Sequence, residues 1–465
     1  MKAVLIYMPC NITANGLKSN NIPPLALYVL SSCLKENKID TDIINEKEFE
    51  TNEIENITTH LKNVVGKYIN DMDVVCLSVN TFNWSITKRL CSIIKRMRKV
   101  TIIVGGVHAT QLYQNIIQDV NIDYVIRGSG ENILPKLIKT INSGKNPSGI
   151  PRISYKKDGC IIHTDNEYIN EESAKKIIYP DFQALPEYQY EEAPIETSRG
   201  CMYNCIFCSI SLKRQRKLFS ILEIDKQIEW AKKNTSKFCD LKTILFTDDC
   251  FTTEELRARE ILEMLNEKED EYKYFFEARV NDLLSDNLLE VMRPNIISGI
   301  QIGIECGYDA GIQKVGKGTS IKNLYLSAKK LYQYKINRKA VYSFIIGFPW
   351  ETEKEIHKTL DTVESLCEKY GIVASINWLM LLPSMLYRDR KKYDIMVEAE
   401  IWDAICWEAD ENVFWKTHPT INPKILSQIE ARIERMKLKG YDIMHSFPFY
   451  TSENIINYIF EEQLN

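Results

Sequence analysis

Thr197–Ser209 reads TSRGCMYNCIFCS and sets Cys201, Cys205 and Cys208 in the pattern CxxxCxxC. Three thiolates on one short loop make a metal site. Cysteine thiolates hold iron–sulfur clusters, usually four at a time, so three without an obvious fourth leave one iron of a cubane open to a substrate or cofactor. Zinc is a rival, but zinc ribbons supply a second CxxC or a His pair downstream, and none follows here. Three core cysteines that hold no metal are the remaining reading. The compact spacing, and Gly200 ahead of the first ligand, favour a metal.

Strand-like segments recur around and after this loop, at Ile195–Thr197, Thr243–Thr247, Tyr274–Arg279, Gly299–Glu305, Val341–Gly347 and Ile376–Leu382, with helical stretches between them. Six βα units over 193–385 predict a partial (β/α)6 barrel, whose reactive groups belong at the carboxyl ends of its strands. Asp248 and Asp249 (FTDDCF) fall there, as do Arg279 (EARVNDL), Glu305 (IGIECG), and Gly347, Phe348 and Pro349 (FIIGFPWET). The aspartates could instead cap the next helix. Arg279 and Glu305 could form a structural ion pair across the barrel mouth.

Upstream, residues 1–145 alternate short apolar runs with amphipathic stretches, a βαβα rhythm that predicts a doubly wound, Rossmann-like parallel sheet. Ligands of such sheets sit beyond the strand carboxyl ends. The loop residues there are Pro9 and Pro23-Pro24 before Leu25, then Ser78 and Thr81, Gly105, Gly106 and His108, and Gly128 and Glu131, mostly small or hydroxyl-bearing, which lets backbone approach a bulky ligand. Residues 146–192 read as a linker with a hairpin around Lys157-Asp158-Gly159. Residues 386–465 read as a mainly helical segment carrying Trp402, Trp407, Phe414, Trp415, Tyr441, Phe447 and Phe449, an aromatic stripe that more often packs a core than lines a pocket. The fold class is α/β.

The chain of 465 residues is long enough for more than one core, since single cores stop growing at about 250–300 residues. Its 59 basic and 63 acidic side chains give a net charge of −4, which disfavours nucleic acid and favours a small-molecule or peptide substrate. The apolar run in MKAVLIYMPCN is too short for a signal-peptide core or a membrane span, so a cytoplasmic protein is expected. Thirteen cysteines, an odd number scattered through apolar segments, argue against a disulfide framework. Cys33, Cys76, Cys91, Cys239, Cys367 and Cys406 read as small core residues.

The cysteine loop, with Phe207 just before the third cysteine, resembles that of the radical S-adenosylmethionine (SAM) superfamily. PPLALYVLSSCLK, VGGVHAT and DYVIRGSGEN resemble the cobalamin-binding domain that precedes many radical SAM cores, in the class B methyltransferase-like group. Val107 stands where that family often has proline, Ser129 where it often has an acidic residue, and Trp350 replaces the glycine of GFPGET. The resemblance implies a [4Fe–4S] cluster on the three cysteines, with the open iron chelating SAM, and a C-terminal segment, here 386–465, that closes the barrel and contributes substrate contacts. It also implies SAM contacts from Phe207, the Asp248/Asp249 position (amino group), Arg279 (carboxylate), Glu305 (ribose) and Gly347, Phe348 and Pro349 (near adenine), and cobalamin contacts from Pro24, Leu25, Ser78, Thr81, Gly105, Gly106, His108, Gly128 and Glu131. None of the six histidines lies in DxHxxG, so the likeness is to the group in which no such histidine ligates the lower cobalt face. The implied activity is methyl transfer to an unactivated carbon through methylcobalamin and a 5′-deoxyadenosyl radical, supplied with electrons by a flavodoxin- or ferredoxin-type donor. The alternatives are a cobalamin-dependent cyclisation or rearrangement without net methyl transfer, and a cobalamin sensor whose cluster is structural or relays electrons.

Overall fold

The structure is a computed structural model that describes residues 2–13, 16–53, 56–165, 177–210, 216–268, 270–403 and 418–445. Cys406, Trp407, Phe414, Trp415, Phe447 and Phe449 lie outside them.

The first sheet contains β1 (Lys2–Ile6), β2 (Asp40–Ile44), β3 (Val74–Ser78), β4 (Thr101–Gly105) and β5 (Tyr124–Ile126), parallel and ordered β2-β1-β3-β4-β5. Runs such as VVCLS and TIIVG are apolar on both faces because helices cover both faces of the sheet. Between β1 and β3 the order reverses, which opens a crevice at their carboxyl ends. The hairpin expected in the linker, β6 (Ile153–Lys157) and β7 (Cys160–His163), pairs antiparallel with β5 and continues this sheet.

The second sheet is parallel and in sequence order: β8 (Glu192–Ile195), β9 (Thr243–Phe246), β10 (Lys273–Arg279), β11 (Ile297–Glu305), β12 (Ala340–Ile346), β13 (Val373–Trp378) and β14 (Ile443–His445). Its first and last strands do not pair, so among the described residues the barrel is open. Pro194, which cannot donate to a ladder, sits on the edge strand β8. The sixth strand comes three residues earlier than the sequence suggests, because after Trp378 the chain leaves the sheet. Met380, Leu381 and Leu382 pack instead against the core of the first sheet. A seventh strand, β14, comes from the segment read as helical. It is held by His445, whose two ring nitrogens lie 2.7 Å from Ile376 O and 2.8 Å from a Glu430 carboxylate oxygen.

Local signals set the helix ends. Ser220 and Glu223 form a capping box at the start of Ile221–Lys233, and Gly371, with φ of +58°, ends Glu353–Tyr370 in the left-handed region. The buried Cys33, Cys76, Cys91 and Cys367 match the expectation of core residues. Cys239 does not: it is exposed, because it follows the short 3-10 turn Thr235–Lys237, and its backbone N–H bonds Tyr190 O.

A turn at Ala399–Asp403 crosses back onto the first sheet's helix Trp84–Met97. Trp402 is fully buried there, edge-on to Tyr387 at 4.7 Å. Asp403 accepts hydrogen bonds from Trp84 Nε1 at 2.8 Å and Lys88 Nζ at 2.6 Å. No helix of the described residues is long and apolar enough to cross a membrane.

Candidate active site between the two sheets

The cysteine loop leaves the second sheet after β8, and Asp248 builds its root. One Asp248 oxygen accepts the Thr197 N–H at 2.9 Å; the other accepts the Thr197 hydroxyl at 2.7 Å and the Ser198 hydroxyl. The Arg257 guanidinium donates to Thr197 O and, at 3.3 Å, to Phe219 O. Further along, the Ile206 N–H bonds Val315 O at 3.1 Å and the Leu386 N–H bonds Ile206 O at 2.8 Å. Cys201, Cys205 and Cys208 are half-buried on this loop. Among the described residues no three acidic, cysteine or histidine side chains converge as ligands of a single ion would. A cubane instead spreads three thiolates over three irons, so the open loop is compatible with one.

The expected SAM residues divide into two sets. Asp248 is 2 % exposed and committed to the loop root, so it does not reach the cavity; its neighbour Asp249 lines it. Burial, with Asp248 and Glu196 nearby, pushes the Asp249 carboxyl up to about 6. Glu305 sits at φ of +72° and is paired at 2.8 Å with Lys317, not with Arg279. Arg279 donates through Nη2 to Lys317 O and lies over the Tyr203 ring, 3.2 Å from its centroid. Its Nη1 is buried without a hydrogen-bond partner. A buried donor of this kind is costly unless something accepts from it, and a carboxylate fits it.

The turn after β12 is held by Glu351, which the sequence reading did not single out. One carboxylate oxygen accepts the Gly347 and Phe348 N–H groups at 2.7 and 2.9 Å, and the other accepts the Tyr308 hydroxyl at 2.9 Å. Burial pushes this carboxyl up to about 7. Pro349 is buried within the same turn. Phe207 meets Phe348 edge-on at 6.1 Å, and Phe348 stacks on Trp350 at 4.8 Å. His418 was also missed. Its Nδ1 accepts the Ile421 N–H at 3.0 Å, so Nε2 carries the proton and donates to Phe348 O at 3.0 Å. The sequence signal for Glu351 was its place in FPWET; for His418 there was none.

A cavity of about 570 Å³ lies between the two sheets. From the first sheet it is lined by Leu25, Ser78, Gly105, Gly106, Gly128 and Glu131, all expected to meet a ligand, together with apolar residues such as Leu5 and Leu30. From the second it is lined by Glu196, Arg199, Gly200, Thr247 and Asp249. Gly106 has φ of +105°, and a Cβ there would come within 2.3 Å of Val79 O, so the loop can run this close only as glycine. These glycine loops and apolar walls suit a broad, flat ligand such as a corrin. Pro24 caps the helix Leu25–Glu36 and does not line the cavity.

Thr81 and His108, expected to contact cobalamin, are 4 % and 1 % exposed and lie outside the cavity lining. His108 Nδ1 is 3.1 Å from the Thr81 hydroxyl, and its ring stacks on Trp84 at 5.4 Å and meets Trp402 at 5.8 Å. Burial drives its pKa down to about 3, so the ring is neutral packing. Trp84 from the adjoining helix and Trp402 from a segment almost 300 residues away turn it inward. No histidine is among the described lining residues.

Residues 195–363 match the radical SAM superfamily, and residues 18–138 match the B12 binding domain. An uncharacterized methyltransferase of Pyrococcus horikoshii is 26 % identical over 379 residues, covering 80 % of this chain and 79 % of that protein. The anaerobic magnesium-protoporphyrin IX monomethyl ester cyclase of Rubrivivax gelatinosus is 24 % identical over 399 residues, covering 82 % and 68 %. Among solved structures, the radical SAM methyltransferase TsrM from Kitasatospora setae, with cobalamin and a [4Fe–4S] cluster bound, superposes with a TM-score of 0.71. That match covers 97 % of this chain and 92 % of TsrM at 13 % identity, and at that identity it speaks for the fold. The matched domains are those that bind SAM with a [4Fe–4S] cluster and cobalamin, and the donor set and glycine-lined cavity fit these groups. Joined in one chain and facing one cavity, the two matched segments give this protein a radical SAM domain preceded by a B12-binding domain.

Proposed function

We propose that the protein is a cobalamin-dependent radical SAM methyltransferase acting on an unactivated carbon of a small-molecule or peptide substrate. The observation that carries this reading is the single cavity whose walls run from Gly105 and Gly106 to Gly200 and Asp249. Bound cofactors supply the hard chemistry, a one-electron cleavage of SAM and a methyl carrier. The chain's own residues hold and shield.

Cys201, Cys205 and Cys208 hold the cluster on a loop whose root Asp248 and Arg257 fix. Arg279 Nη1 would donate to the SAM carboxylate as its missing partner, and Asp249 would face the ammonium group, which also favours its ionised form. Glu305, paired with Lys317, offers acceptors for ribose hydroxyls, and the turn at Gly347–Pro349, held by Glu351, packs by adenine. Leu5, Leu25 and Leu30 keep water from the space between the two cofactor sites.

Methyl-labelled SAM tests the reaction in an anaerobic incubation with reduced flavodoxin and an extract of small molecules. Label in an extracted product, one per 5′-deoxyadenosine formed, is expected. A second reading, ring formation or rearrangement without net methyl transfer, draws on the similarity to the cyclase of Rubrivivax gelatinosus. It predicts 5′-deoxyadenosine and no transferred label. A binding module with a structural cluster predicts neither.

A further inference from the structure

Arg199 stands two residues before the first cluster cysteine and lines the cavity between the sheets. Its guanidinium is shared between two carboxylates. Nε and Nη2 make a fork on Glu196, at 2.9 and 2.5 Å, and Nη1 reaches Glu131 at 2.5 Å. Glu196 directly follows β8, so the fork fixes the guanidinium to the second sheet. Glu131 ends the Gly128–Glu131 loop after β5, so the third bond crosses to the first sheet.

All three side chains are largely buried, at 27 %, 21 % and 16 % exposed for Arg199, Glu196 and Glu131. Burial alone would raise the Glu131 carboxyl, but the guanidinium holds it below its ordinary value and therefore ionised. A planar fork with a spare donor is a role lysine cannot copy. At the other end of the cysteine loop, just past Cys208, the Gln111 side-chain amide donates to Ser209 O at 3.1 Å. Gln111 belongs to the short helix Val107–Gln111, which leaves the Gly105-Gly106 loop. Two ties from the B12-binding domain therefore bracket the cluster loop, each starting beside a glycine loop that lines the cavity.

We propose that Arg199 is a positioning residue which, through Glu131, fixes the cluster loop against the B12-binding domain and so sets the separation of the two cofactor sites. Glu131 then acts through Arg199 and not as a contact of cobalamin. This rests on both cofactors being bound. It does not depend on whether the reaction transfers a methyl group.

The test uses the full chain with Arg199→Lys, Glu131→Gln and the double variant. Glu131→Asp, which keeps the charge but shortens its reach, serves as a milder variant should the others fold poorly. Hydrogen exchange is measured over 128–131 and 197–205 without cofactors. Iron and cobalamin are counted after reconstitution, and the spin–spin distance between cob(II)alamin and the reduced cluster is read by pulsed EPR. The expected result is wild-type iron and cobalamin content, at least tenfold faster exchange in both segments and a broadened distance distribution, with the double variant no worse than the worse single. Loss of cobalamin in Glu131→Gln alone would make Glu131 a cobalamin contact and overturn the proposal. So would additive effects, or wild-type exchange and distances in both single variants. Should the wild-type chain take up no cobalamin, the cofactor reading fails, and the exchange measurement by itself decides whether the bridge holds the loop.

Discussion

Asp248→Ala separates the structural reading of this site from the one suggested by motif position. Asp248 accepts from three donors at the root of the cysteine loop: the Thr197 N–H, the Thr197 hydroxyl and the Ser198 hydroxyl. Truncation leaves the Thr197 N–H buried without an acceptor and Arg257 without its nearby counter-charge. Hydrogen bonds to a charged acceptor contribute about 1.5–3 kcal/mol each, and stripping one partner from a buried charged group costs about 3–5 kcal/mol. A loss of about 3–5 kcal/mol is therefore expected, together with poor retention of iron.

Asp248→Asn should be milder, about 1–2 kcal/mol, because its oxygen can still take the Thr197 N–H while its NH2 faces two hydroxyls that can turn to accept. Asp249→Asn should reconstitute iron as the wild type does, since Asp249 faces the cavity and not the root. Iron and sulfide counts after anaerobic reconstitution, with thermal melts, check all three. Wild-type iron and melting for Asp248→Ala, with SAM binding abolished, would refute this reasoning and make Asp248 a direct ligand of SAM.

Three further outcomes follow from particular contacts. Gly106→Ala forces a Cβ against Val79 backbone at positive φ, so a loss of about 1–3 kcal/mol and weakened corrinoid retention through gel filtration are expected; unchanged retention would contradict the close-approach argument. His108→Gln should lower the melting temperature by the equivalent of about 1–2 kcal/mol as contacts with Trp84 and Trp402 are lost, yet leave the cob(II)alamin EPR spectrum as it is. Trp402→Ala should cost about 3–5 kcal/mol and hasten proteolysis after Ser384, because it removes the side chain that seats the crossing turn.

Glu46 is 1 % exposed, with both carboxylate oxygens lacking a hydrogen-bond partner, and burial pushes its pKa up to about 8. The folded state therefore holds a proton that the unfolded state releases from about pH 4.5. Stability complete below that pH is lost as pH rises towards 8. Glu46→Gln should abolish this dependence and melt higher than wild type at pH 8, by on the order of 2–4 kcal/mol, with no advantage at pH 4. Equal melting at both pH values would show that Glu46 is ionised in the fold.

Much of this protein could be read before any coordinate was known, for local reasons. The CxxxCxxC spacing confines three thiolates to one loop whatever surrounds them. The alternation of apolar runs with amphipathic stretches dictates parallel strands covered by helices. The glycines of VGGVHAT and RGSGEN mark places where backbone must turn or come close, and Gly105, Gly106 and Gly128 do line the cavity. Tertiary structure alone decided the partners. Asp248 and Asp249 are adjacent and chemically identical, and only packing against Thr197 and Ser198 commits one to the loop and leaves the other to the cavity.

Glu305 takes Lys317, and Glu131 takes Arg199 from 68 residues away, because an ion pair is set by distance in space and leaves no periodic trace in the chain. His108 turns inward because Trp84 and Trp402 close over it. Sequence by itself therefore determined which chemistry the chain can hold, through covalent spacing and hydrophobic period. The fold decided which side chains are free to perform it, since burial and long-range pairing are properties of the assembled structure.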